Sequence, residues 1–145
     1  MIRPFVPADL GRLLQIEQQS FPKSPYSRTT LIQLFLLYPE TFWVYVDSTK
    51  EKEGEEICAY LVFSWDGHLI SLAVHPNDRR RGIAEALVRK AMEALPDKRM
   101  RAEVRRSNRV ALAFYQKLGF QVAGVIPNYY GDEDALVVQL DGKSG

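Results

Sequence analysis

The 145-residue chain holds a single cysteine, Cys58, and only two histidines, His68 and His75. One cysteine excludes an internal disulfide, and its place in an apolar run reads as a small buried side chain in a reducing compartment. Two histidines and one thiol offer no recognisable metal spacing, so no metal is expected. No apolar run reaches membrane-spanning length, and Arg3, Pro4, Pro7 and Asp9 interrupt the start, where a signal peptide needs an apolar core. A large excess of one charge is also missing. The net charge of +1 argues against a protein dominated by nucleic-acid binding. Internal repeats and low-complexity segments are absent. What is left is a cytoplasmic chain of ordinary globular composition, 46% apolar and 26% charged, long enough to bury a core without staples. One domain is expected over residues 1–141, with 142–145 a frayed tail.

Periodicity supplies the elements. Ile2 to Val6 reads as a short edge strand bounded by prolines. Pro7 opens a helix with Leu10, Leu13, Leu14 and Ile16 on one side, and Phe21-Pro22-Lys23-Ser24-Pro25-Tyr26 breaks it. Ser27 is the N-cap of a second helix ending before Pro39. Thr41 to Val46 and Ile57 to Trp65 read as strands. The charged run Asp47 to Glu56 between them is expected to be an exposed hairpin connection. Asp66-Gly67 is a hairpin signal leading into a third strand from His68. A helix runs on past Ala84 to Pro96. Arg99 to Arg105 then alternates, with Met100, Ala102 and Val104 on one face and Arg101, Glu103 and Arg105 on the other. Right-handed crossover predicts this strand parallel to the His68 strand. Ser107 or Asn108 caps a helix to about Leu118, with Gly119 after it, and Phe120 to Ile126 and Ala135 to Leu140 are the last strands.

The stretch His68 to Ala84, HLISLAVHPNDRRRGIA, organises the rest. A buried strand hands over, through a turn at Pro76, to Arg79-Arg80-Arg81-Gly82-Ile83-Ala84 opening a helix. Helix starts have unpaired N–H groups and a positive dipole end, so this handover can hold an anion. Gly82 and Ala84 allow close approach of a phosphate to the backbone, and the arginines add charge-assisted donors. Three adjacent arginines can equally be a solvated turn; the flanking strand and helix favour a phosphate-bearing ligand.

The order of elements, together with Arg79-x-x-Gly82-x-Ala84, resembles the GNAT acetyltransferases, whose acyl-CoA pyrophosphate motif is Q/R-x-x-G-x-G/A. Glu103-Val104-Arg105-x-Ser107-Asn108, Ala111, Phe114-Tyr115 and Leu118-Gly119-Phe120 are similar to the RimI and archaeal or eukaryotic catalytic-subunit branch, which acetylates protein N-termini. Asn128-Tyr129-Tyr130 with Glu133-Asp134-Ala135, and Gly67-His68 entering the central strand, match that branch too. The resemblance covers nearly the whole chain. It implies an α/β fold of the α+β type: a mixed, mostly antiparallel sheet of about seven strands with four helices, and a central parallel strand pair at the cofactor cleft.

The activity so implied is acetyl transfer from acetyl-CoA to an N-terminal amine by direct attack on the thioester, possible without a metal. Backbone N–H groups around Arg81, Gly82, Ile83 and Ala84 would hold the pyrophosphate, with Arg79 and Arg80 as electrostatic helpers. An N–H among Leu72, Ala73 and Val74 would receive the oxyanion. Asn108 would bond the pantetheine or cap its helix, two compatible roles. Tyr115 would be the general acid. A phenol near 10 facing a thiol near 8.5 makes full transfer uphill by about 2 kcal/mol, so a hydrogen bond to the departing sulfur is the better description. Glu103 and His68 are the candidate bases; the alternative for Glu103 is an ordinary pair with Arg101 or Arg105. Phe21, Pro22 and Tyr26 on one loop, and Tyr129 and Tyr130 on another, would shape the peptide groove. Lys23 departs from the small, apolar or acidic residues expected on that loop. A protein or peptide N-terminus is thus the expected partner, with no nucleic acid or membrane, and a monomer or weak homodimer. A GNAT enzyme acting on lysine side chains or small amines, and a CoA-binding module without catalysis, are the competing readings.

Overall fold

Unbroken apolar and β-branched runs become paired strands, and the helical stripes become helices that bury them. The structure, a computed structural model, describes residues 1–47, 49 and 56–142. In chain order the elements are β1 (Ile2–Pro4), α1 (Leu10–Ser20), α2 (Arg28–Leu37), β2 (Phe42–Asp47), β3 (Glu56–Phe63), β4 (Leu69–Val74), α3 (Ile83–Ala94), β5 (Met100–Arg105), α4 (Arg109–Lys117), β6 (Gln121–Ile126) and β7 (Ala135–Leu140). Short 3-10 turns at Pro7–Asp9 and Pro76–Asp78 precede α1 and α3. Seven strands and four helices agree with the expected fold. The connection expected between Asp47 and Glu56 falls mostly outside the described residues, but Asp47 itself is buried rather than exposed. Of the expected tail, residues 143–145 also lie outside them.

The chain divides into two compact units, residues 1–64 with 70–91, and residues 65–69 with 92–145. In the first, the sheet order is β1-β2-β3-β4, with β1 and β3 both antiparallel to β2. Its core gathers Phe5, Leu13, Ile16, Leu31, Phe42, Val44, Tyr60 and Val62. Phe5 stacks on Phe42 at 4.2 Å between ring centroids and meets Phe35 edge-on at 5.3 Å. Ser27 caps α2 as its sequence position predicts, accepting a hydrogen bond from the Thr30 N–H.

In the second unit β7 is the central strand, antiparallel to β5 on one side and β6 on the other. Met100, Ala102 and Val104 are buried while Arg101, Glu103 and Arg105 are half-buried, the two faces predicted from alternation. Tyr115 on α4 packs edge-on against Phe120 at 5.1 Å. Asn108 caps α4, accepting from the Ala111 N–H, and Gly119 follows the helix at φ 101°.

Two expectations change. The strands form two sheets, and the parallel pair is one bridge, His68 to Arg101, supported by the Arg101 N–H donating to the Gly67 carbonyl at 2.9 Å. β5 has a full antiparallel ladder with β7, so its backbone groups on that edge need no second partner. Nor does the arginine run open the helix: α3 begins at Ile83. Arg80 at φ 65° and Gly82 at φ 76° hold left-handed conformations that no α-helix admits, so residues 79–82 form a turn ahead of it. The glycine at 67 is required twice over: its φ is 94°, and a Cβ there would sit 2.4 Å from the Arg99 carbonyl oxygen.

Candidate active site

Glu103 sits in the middle of β5 on its polar face, two residues from an arginine on either side. Neither arginine takes it. Arg101 reaches Asp66 at 3.3 Å, and Arg105 reaches Asp132 at 2.8 Å and Glu133 at 3.0 Å. Glu103 instead faces His68, whose Nε2 lies 2.8 and 2.9 Å from the two carboxylate oxygens, and it accepts a hydrogen bond from the Tyr129 hydroxyl at 3.2 Å. A carboxylate oxygen accepts, so this contact places an N–H on His68 Nε2 and leaves Nδ1 as the nitrogen turned away from Glu103. The pair is partly open to solvent, with side-chain exposures of 30% for His68 and 15% for Glu103. The carboxylate orients the imidazole through one of its two nitrogens.

The loop carrying Tyr129 is clamped from below. Glu133 accepts from Arg105 and from both the N–H and the hydroxyl of Ser107, which hold its carboxyl below the usual range. Asp134 pairs with Arg106 and accepts from the Asn128 N–H. The Arg105 guanidinium also lies 4.3 Å above the Tyr130 ring, a cation–π contact, and Tyr130 meets Tyr129 edge-on at 4.9 Å. Arg105 therefore fixes two aromatic side chains through one loop. Sequence reading weighed Arg105 only as an alternative partner of Glu103 and missed this; the three acidic residues at 132–134 opposite a basic strand were the available signal.

Tyr115 is only 7% exposed. Burial, then Tyr130, then Glu103 push its phenol up from the ordinary value, so it keeps its proton. Among the described residues its hydroxyl has no hydrogen-bond partner. Asn108 spends its side-chain oxygen on the helix cap. The structure thus brings His68, Glu103, Asn108, Tyr115, Tyr129 and Tyr130 into one unit.

The other predicted residues belong to the first unit. Ala73 is buried in β4, Leu72 and Val74 are half-buried, and the Val74 carbonyl accepts from the Ser20 hydroxyl at 3.2 Å and from Arg79 Nε at 3.3 Å. In the turn that follows, the Arg81 guanidinium is turned onto two buried carboxylates, Asp47 at 3.0 Å and Asp78 at 3.0 Å. Hydrogen bonds from the Thr49 hydroxyl and N–H, and then from Arg81, hold the Asp47 carboxyl down to about 2. Ligand atoms of Asp47, Cys58 and Asp78 lie within 4.8 Å of one another, but the guanidinium already supplies the cation that two buried acids require. The side chain of Arg81 is therefore a root of the turn. A Cβ at Gly82 would meet nothing within 4 Å, so that face of the turn is open.

Phe21, exposed, follows α1 directly, its N–H donating to the Glu17 carbonyl at 2.8 Å. Tyr26 donates its N–H to the Glu17 side chain at 2.8 Å. Pro22 lies on the turn between them. Glu17 was not anticipated as important, although its spacing from Leu10 and Leu13 sets it on the apolar stripe of α1.

Among the described residues no helix is long and apolar enough to cross a membrane. The acetyltransferase (GNAT) family model matches residues 10–120. An uncharacterized N-acetyltransferase of Methanocaldococcus jannaschii is 34% identical, the match spanning 95% of this chain and 89% of the relative. The crystal structure of Ard1 from Thermoplasma volcanium superposes with a TM-score of 0.85 at 27% identity, covering 99% of this chain and 98% of that one. That of the ribosomal-protein-S18-alanine N-acetyltransferase from Escherichia coli does so with a TM-score of 0.80 at 27% identity, covering 100% and 96%. With an open strand-to-helix turn at Gly82, a histidine–carboxylate pair and a buried tyrosine already in view, these matches place the chain in the GNAT family of acetyltransferases.

Proposed function

We propose that residues 1–141 form one catalytic domain that moves the acetyl group of acetyl-CoA to the N-terminal α-amine of a protein or peptide. The observation that carries this reading is Glu103, which leaves two neighbouring arginines to other partners and engages His68 and Tyr129. A carboxylate so placed prepares the histidine to take a proton.

The roles divide between the units. In the first, the N–H groups of Arg81 to Ala84 take the pyrophosphate, aided by Arg79 and Arg80, and an N–H of Leu72 to Val74 takes the developing oxyanion. In the second, His68 Nδ1 accepts the proton of the α-ammonium, directly or through a water, while Glu103 stabilises the resulting imidazolium. The freed amine attacks the thioester carbonyl; a C–N bond forms, the C–S bond breaks, and the second proton of the attacking nitrogen passes to the departing sulfur or to water. The thiolate leaves hydrogen-bonded to Tyr115, whose raised pKa disfavours giving the proton up altogether. Phe21, Pro22 and Tyr26 with Tyr129 and Tyr130 contact the first residues of the acceptor.

The demand on the base favours an α-amine. With a pKa near 7.8 it is roughly one-seventh neutral at pH 7, whereas a lysine near 10.4 is neutral about once in a few thousand. The relatives named for N-terminal substrates support the same choice. The test is acetyl-CoA turnover on three acceptor sets: peptides with free and varied first residues, beginning with Ala; N-terminally blocked peptides with an internal lysine; and polyamines. Turnover confined to free N-termini is expected. Turnover confined to blocked lysine peptides or polyamines overturns the assignment.

A further inference from the structure

The first unit contains a carboxylate that the chemistry above does not use. Glu17, only 1% exposed, stands in the core beside Tyr60, which is fully buried. Tyr60 donates its hydroxyl to Glu17 at 2.5 Å and lies 2.9 Å from the Ser71 hydroxyl on β4. Because the Tyr60 proton is committed to Glu17, Ser71 is the donor in the second bond. The other Glu17 oxygen accepts the Tyr26 N–H at 2.8 Å. Burial pushes the Glu17 carboxyl up and the Tyr60 phenol well up.

Such a group is costly. A buried carboxylate is on balance less stabilising than an apolar residue of similar volume, even when its bonds are satisfied. Here the cost falls at a particular place. One chain of hydrogen bonds, Tyr26 N–H to Glu17 to Tyr60 to Ser71, links the far end of the α1–α2 segment to β4. At the near end of the same segment the Ser20 hydroxyl donates to the Val74 carbonyl, three residues further along β4. Both roots of residues 21–26 are therefore stitched to the one strand expected to carry the thioester. Between these roots the Ser24 N–H donates to the Phe21 carbonyl at 3.1 Å, closing a backbone turn.

We propose that Glu17 and Tyr60 are positioning residues for the acceptor: they set the α1–α2 segment, and with it Phe21, Pro22 and Tyr26, in fixed register with β4. This rests on the reading of that segment as a peptide contact. The brace touches neither substrate nor the reacting atoms, so its loss shows in acceptor recognition and not in the affinity for acetyl-CoA.

The experiment measures KM for peptide and for acetyl-CoA separately, with thermal stability, for Tyr60→Phe, Glu17→Ala and Glu17→Gln. Phenylalanine keeps the ring and removes both hydroxyl bonds. Peptide KM is expected to rise about fivefold in Tyr60→Phe and in Glu17→Ala, with acetyl-CoA KM within about twofold of the unaltered protein. Glutamine keeps an acceptor for the Tyr26 N–H, so Glu17→Gln should recover most of the loss. A merely structural role gives a different pattern: fewer folded molecules lower the apparent kcat and leave both KM values unchanged. That pattern overturns the proposal. Should the core variants not fold, Ser71→Ala cuts the network at its half-buried end; it should raise peptide KM about twofold, and an unchanged value overturns the proposal equally. The unaltered protein is the control that separates the two claims. If it acetylates only blocked lysine peptides or polyamines, the N-terminal reading fails, and the brace is then judged by KM for the acceptor it does use.

Discussion

The two units hold their functional groups in opposite ways. In the second, the side chains proposed to meet the acceptor are partly open and are oriented by charged partners: His68 by Glu103, Tyr130 by Arg105, the Tyr129 loop by Glu133 and Asp134. In the first, the parts expected to meet ligand are backbone, and buried acids hold them: Asp47 and Asp78 through Arg81 under the 79–84 turn, and Glu17 through Tyr60 under the α1–α2 segment. Proton transfer needs a side chain that water and substrate can reach, whereas an anion or a peptide can be held by N–H groups alone. Buried ion pairs and networks are thus found where a backbone must be kept in an unusual shape, and exposed ones where protons must move.

If that contrast is right, the largest effect should come from the open pair. Glu103→Gln keeps the shape and removes the charge that stabilises an imidazolium. We expect kcat to fall about a hundredfold, with the loss smallest at low pH, because a base that has lost its counter-charge takes up its proton only at lower pH. An unchanged pH profile in steady-state kinetics would reduce the pair to a surface contact. Next comes Gly67→Ala in the same unit, where a Cβ would meet the Arg99 carbonyl oxygen at 2.4 Å in a left-handed backbone. Chemical denaturation should show a loss of roughly 2 kcal/mol or more. Gly82→Ala, also left-handed but with open space around it, should cost about 1 kcal/mol and show mainly as weaker acetyl-CoA binding by calorimetry. Equal stability losses at the two glycines would erase the distinction between them.

Tyr115→Phe is expected to lower kcat about tenfold while acetyl-CoA binding stays within about twofold. Full turnover in this variant would remove the phenol from the mechanism. The smallest effects are in the pH dependence of stability, where the two buried acids of the first unit should act with opposite sign. The Asp47 carboxyl is held near 2 against an ordinary 3.8, so its contribution is complete above the ordinary value and is lost as pH falls toward 2. Glu17 is raised above 4.5, so the folded state binds its proton more tightly and stability declines as pH climbs beyond that point. Thermal melts of Asp47→Asn should lack the acid-side loss, and those of Glu17→Gln should be flatter on the alkaline side; slopes matching the unaltered protein would contradict the assignment of these shifts.

Much of this was legible along the chain. The alternation of Met100, Ala102 and Val104 with Arg101, Glu103 and Arg105 set the two faces of β5, and Ser27, Asn108 and Gly119 marked helix ends. These are local signals, set by neighbours within a turn or a pleat. The arginine run misled in one respect: its helix-like composition hid the left-handed residues at 80 and 82, which only the turn geometry reveals. Glu17 was readable in principle as an acid on an apolar stripe, but nothing nearby in sequence announced Tyr60 as its partner, 43 residues away.

The sequence by itself determined the elements, their order, the family and the residue types at hand for acetyl transfer. Only the tertiary structure decided which charge met which. Glu103 could pair with arginines two positions away, and it pairs instead with a histidine 35 residues before it and a tyrosine 26 after it. Arg81 could face solvent with its neighbours, and it reaches back 34 residues to Asp47. The physical reason is that such a pairing depends on which distant segments a hydrophobic core packs side by side and on the desolvation each charge then faces, neither of which is a property of a short stretch of chain.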